Sequence, residues 1–108
     1  MNWCRDLYVG PAAAGNLEEL KKEVEEGRCG PEIQVITLSY NGKDNLDIRP
    51  ALSMSVHPYL KESGPLIVGI AASRKEAREL VEHMAGDCVL STGDADLRSF
   101  FLRTGRSI

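Results

Sequence analysis

The chain is poor in residues that build metal sites. It holds two histidines, His57 and His83, and three widely spaced cysteines, Cys4, Cys29 and Cys88. No C-x-x-C, H-x-x-x-H or H-E-x-x-H pattern occurs, so structural zinc, zincin and dithiol redox chemistry lack their spacing. An odd cysteine count does not suit a secreted disulfide framework. Asp94-Ala95-Asp96, with Asp87 nearby, lacks the spacing and terminal Glu of a calcium loop, and Asp94 reads more simply as a helix cap. The expectation is a chain with no metal and no cofactor.

Long apolar runs are also missing. None approaches the roughly 20 residues that a membrane span needs. The N-terminal Met1-Asn2-Trp3-Cys4-Arg5-Asp6 lacks the charged-then-apolar layout of a signal peptide. A cytoplasmic location and no membrane partner are the default expectations. Positive charge is not massed either: net charge is −3 and pI about 5.4. Nucleic-acid binding therefore loses its electrostatic footprint. Arg98, Arg103 and Arg106 form a local exception that reads as a solvated tail.

What is present fits one globular domain. The 108 residues are 43% apolar and 27% charged, which argues against disorder. Residues 66–71, Leu-Ile-Val-Gly-Ile-Ala, read as an apolar strand that turns directly into a helix. Ser73 and Glu76 form a capping box, and Ala77, Leu80, Val81 and Met84 mark the core face. Gly86 leaves two endings open: a helix running to Ser91, or a stop with Cys88-Val89-Leu90 as a fourth strand. Cys88 reads as a small buried apolar group in either case.

Upstream, residues 6–9 read as a first strand. Asn16 and Glu19 form a second box, of the N-x-x-E kind, and Leu17, Leu20 and Val24 share one helical face up to Gly27. Cys29, in Gly27-Arg28-Cys29-Gly30-Pro31, is the most exposed thiol expected, though no base stands near it in the sequence. Residues 32–40 read as an interior strand, apolar on both faces near Val35-Ile36. Residues 44–61 fit two periods. Leu46, Ile48, Leu52, Met54 and Val56 alternate like a strand after the hairpin signal Asn41-Gly42. Ile48, Leu52, Val56 and Tyr59 also fall at helical spacing, and an irregular helix interrupted by Pro50 is slightly favoured. Leu97, Phe100 and Phe101 suggest a terminal segment packed on the core.

The fold class is thus α/β: a small single-domain sandwich of three to four strands and about three helices. If the three clear strands run parallel, the loops at residues 10–16, 40–45 and 72–74 share the edge where open sheets bind ligands. Gly10-Pro11-Ala12-Ala13-Ala14-Gly15 is half of a phosphate loop, with Asn16-Leu17 where Lys and Ser/Thr would stand. Ser73, Arg74 and Lys75 open a helix, where an anion finds N–H groups and charge. Gly10, Gly15, Asn16, Tyr40, Ser73 and Arg74 are the candidate ligand residues, and a small anionic metabolite is the expected guest.

The pattern G-I-A-x-S-x-x-E-A-x-E-L-V at residues 69–81, with Thr92-Gly93-x-x-Asp96-Leu97-Arg98, resembles a group of short bacterial proteins with no assigned activity. That resemblance implies a self-standing bacterial domain and carries over no functional residue. The layout is also similar to the nitrogen-regulatory signal proteins, without their nucleotide-binding loop motif. Two functions follow as expectations. The first is a non-catalytic ligand-binding or regulatory module that self-associates, as a homodimer. The second is a small enzyme with a dispersed site, which would need Tyr40, Asp44 and His57 to meet in one pocket.

Overall fold

A computed structural model describes residues 2–38, 46–55 and 65–93. Among the described residues, four strands form one mixed sheet: β1 (Asn2–Val9), β2 (Gln34–Leu38), β3 (Leu46–Pro50) and β4 (Leu66–Ala71), in the order β1-β4-β2-β3. The described helices are α1 (Leu17–Glu26), α2 (Ala51–Ser55) and α3 (Arg74–Thr92). The small α/β fold expected from the sequence is what forms.

Both faces of the sheet are covered. On one, Ile36, Leu38 and Val68 pack with Ala77, Leu80, Met84 and Cys88 of α3. On the other, Val35, Ile67 and Ile70 pack with Val24 of α1 and with Ala51 and Met54 of α2. Successive residues of β2 thus belong to opposite cores, and all five are buried. This is why Val35 and Ile36 are apolar at successive positions rather than alternating with polar residues. Each fully buried aliphatic side chain here is worth roughly 1.5–3 kcal/mol.

Several expectations change. β1 pairs parallel with β4, but β2 runs antiparallel to both β4 and β3. The three clear strands are therefore not all parallel. The first strand begins at Asn2 rather than residue 6, because Asn2 and Trp3 already pair with Leu66 and Ile67; Cys4 to Leu7 then stand against Val68 alone before pairing resumes at Tyr8. Residues 46–55 split between the two competing readings: 46–50 are a strand and 51–55 a short helix. The favoured helix is corrected over its first half. Pro50 stands at the junction, on the outer strand, where a missing N–H breaks no ladder.

α3 runs unbroken through Gly86, which is exposed with open space around it, so Cys88-Val89-Leu90 is helix and not a strand. Gly93 ends it in the left-handed region, at φ 82°, and donates to Val89 O at 2.8 Å. Gly27 ends α1 at φ 73°, donating to Val24 O while Arg28 donates to Glu23 O. Residue 56 onward to 64, with His57 and Tyr59, and the tail from residue 94, with Asp94, Asp96 and Phe100, lie outside the described residues.

Gly69 shows why one small residue sits inside β4. Ile36 pairs with Gly69 but Thr37 pairs with Ile67, so Val68 is an extra residue. This bulge turns Gly69 toward α3. A Cβ there would stand 2.7 Å from Met84 Cε and 3.0 Å from Ile36 Cδ1.

Candidate functional site

Two of the three expected loops come together. β1 and β4 are parallel, so the turns after Val9 and after Ala71 leave the sheet from the same edge. The Gly10 N–H donates to Ile70 O at 3.0 Å and ties the first turn to β4. β2, being antiparallel, ends at the opposite edge, and Tyr40 and Asp44 beyond it lie outside the described residues.

Glu76 joins the two turns. Its carboxylate accepts the Ala72 N–H at 3.1 Å and the Ala12 N–H, 64 residues away, at 3.3 Å. Gly10 makes room for it: any Cβ at that position would overlap the Glu76 side chain. Half of the expected capping box is present, since Ser73 Oγ accepts the Glu76 N–H at 3.1 Å. The other half is redirected. Glu76 reaches past the Ser73 N–H to the residue before it and to the neighbouring loop.

This changes the electrostatics of the edge. The Ala13 and Ala14 N–H groups both donate to Gly10 O. With Ala12 held by Glu76, the loop's alanine donors are spent on the protein's own acceptors. A carboxylate of the chain stands where an outside anion was expected. Asn16 is not a side-chain cap either, because a 3-10 turn at Ala14–Asn16 leads straight into α1 and its side chain caps no N–H. Gly15 and Asn16 are exposed, and Arg74 extends from the exposed first turn of α3 beside half-buried Ser73.

A cleft of about 280 Å³ opens beside these turns, lined by Ala12, Ala13, Asn16, Glu19, Leu20, Glu23, Ile33 and Ala72. Leu20, Ile33 and the alanines give it apolar lining beside polar groups. Glu19 and Glu23 lie one helical turn apart on the same face of α1 and supply its wall. A second cleft of about 180 Å³ lies across the Pro11 turn, lined by Pro11, Glu76, Glu79, Leu80 and His83. No lysine or arginine lines either one. The acids of this rim were legible as helix-surface residues, but nothing local in the sequence marked them as walls.

Groups with displaced titration lie elsewhere. Burial, then the hydrogen bond that Tyr8 Oη donates to Asp87 Oδ2 at 2.5 Å, push the Tyr8 phenol well above its usual range. Burial also pushes the Cys29 thiol up. Cys29 is not the exposed turn thiol expected, for it is 6% exposed and packs in the core under α1. All three cysteines are buried.

Among the described residues there is no group of three or more His, Cys, Asp or Glu placed to hold a metal ion. Nor is any helix among them long and apolar enough to cross a membrane. No protein family matches the chain, and no curated protein and no solved structure matches it.

Proposed function

We propose that the chain is a non-catalytic binding module whose guest is a small molecule with an apolar body and a cationic end. The observation that carries this reading is the cleft of about 280 Å³ whose lining joins Leu20, Ile33, Ala13 and Ala72 with Glu19 and Glu23. An apolar lining with a few converging polar groups is the usual make-up of a ligand site. Two carboxylates and no cation in the lining favour an amine or guanidinium over the anionic metabolite suggested by the loop pattern. An anion would also find the Ala12, Ala13 and Ala14 donors already engaged. A cleft of this volume suits a small molecule.

The test is thermal unfolding with panels of small alkyl amines, guanidines, phosphate and nucleotides. Stabilisation by amines, lost in Glu19→Gln/Glu23→Gln, is the expected outcome. Stabilisation by phosphate or nucleotides alone would overturn the reading.

A further inference from the structure

We propose that two copies of this chain pair through the outer edge of β3, antiparallel about Ile48, with Asp47 of each opposite Arg49 of the other. In the ladder between β2 and β3, Val35 pairs with Arg49, Ile36 with Ile48 and Thr37 with Asp47. The Ala51 N–H donates to Ile33 O at 2.9 Å, one step beyond that register. Antiparallel bonding alternates, so Arg49 and Asp47 also spend their backbone groups on β2. Leu46, Ile48 and Pro50 then turn theirs outward. Among the described strands β3 stands at one end of the order, with β2 on its inner side.

The sequence Leu46-Asp47-Ile48-Arg49-Pro50 is self-complementary about its centre. A two-fold axis through Ile48 makes an isologous contact. Ile48 exchanges both backbone bonds with its copy, and the Leu46 N–H meets the partner's Pro50 O. Pro50 has no N–H to leave unmet, and it stops the pairing from running on. Asp47 and Arg49 of opposite chains fall in the non-bonded pair, where side chains approach most closely.

Charge sets this register. Within one chain Arg49 Nη2 meets Asp47 Oδ2 at 3.2 Å, and Arg49 Nε is buried with no hydrogen-bond partner. In the pair, each guanidinium faces a carboxylate of the other chain directly opposite. The number of ion pairs does not change on association, so the exchange fixes orientation more than it adds affinity. The strand is short, and the dimer is accordingly weak. Charges and a proline on an outer strand also serve to keep strands apart. The charge pattern distinguishes the two roles, because it repels copies in other registers and attracts them in this one.

The test is sedimentation velocity on the full chain from micromolar to millimolar concentration, with circular dichroism as the folding control. Wild type is expected to dimerise, less so in added salt. Asp47→Arg and Arg49→Asp each place like charges opposite, and each weakens the dimer by about tenfold or more. An equimolar mixture of these two variants restores association, since every facing pair is then opposite in sign. The double swap Asp47→Arg/Arg49→Asp restores it in one chain. A monomeric wild type at millimolar concentration would overturn the proposal. So would single variants that dimerise as wild type does, or a mixture that stays monomeric.

Discussion

Replacing Glu76 with alanine tests whether the loop edge is held by one carboxylate. The side chain accepts two backbone N–H groups from separate loops, at 3.1 Å and 3.3 Å. A hydrogen bond to an ionised group is worth about 1.5–3 kcal/mol. Here the Ala12 bond is exposed and the Ala72 bond half-buried. Water therefore replaces much of what is lost. A negative charge in the first turn of α3 adds a few tenths of a kcal/mol. The expected loss is roughly 1–2 kcal/mol. Glu82→Ala, an exposed change on the same helix, should stay within about 0.5 kcal/mol. Urea unfolding gives both numbers, and native-state amide exchange should speed up at Ala12 and Ala72 by roughly tenfold. A second comparison isolates the contact. Gly10→Ala should destabilise wild type by expelling Glu76, yet cost much less in the Glu76→Ala background. Equal losses from Glu76→Ala and Glu82→Ala, or strict additivity with Gly10→Ala, would refute the bridge.

Gly69→Ala should cost about 1–3 kcal/mol by overpacking against Met84 and Ile36, and less when Met84 is also shortened; urea midpoints check both. Leu80→Ala should cost about 2–5 kcal/mol in the same assay, while exposed Lys75→Ala stays under about 0.5 kcal/mol. The Tyr8 phenol is pushed above its ordinary value of 10.0, so the folded state holds its proton more tightly than the unfolded state. Stability from this group is complete below that ordinary value and declines as pH rises above it. Alkaline unfolding of Tyr8→Phe should lack that decline, and an unchanged curve would contradict the assignment. A thiol reagent should find the three buried cysteines slow in native protein and fast in denaturant.

Local pattern was a good guide wherever one period dominated. Leu17, Leu20 and Val24 on α1, and Ala77, Leu80 and Met84 on α3, face the core as their spacing requires. Val35-Ile36 was legible as part of an interior strand because two successive positions are apolar, which points to burial on both faces. Residues 46–55 were not legible, since strand and helix meet at Pro50 and each imposes its own period. Strand direction is absent from local pattern, and β2, being antiparallel, ends at the other end of the sheet from β1 and β4. The Asn16 cap failed because a 3-10 turn already enters the helix. Glu76 carried a legible capping signal, but its reach to Ala12 depends on β1 and β4 lying side by side. That contact belongs to the topology rather than to any short stretch of sequence.

The most direct measurement of the central claim is a backbone amide NMR titration of the full chain with butylamine, and separately with inorganic phosphate. The account predicts shifts with butylamine at Ala12, Ala13, Asn16 and Glu23, abolished in Glu19→Gln/Glu23→Gln, and none there with phosphate. Shifts with phosphate at Gly15, Asn16 and Ser73, with butylamine silent, would contradict it and restore the anion site that the loop pattern first suggested.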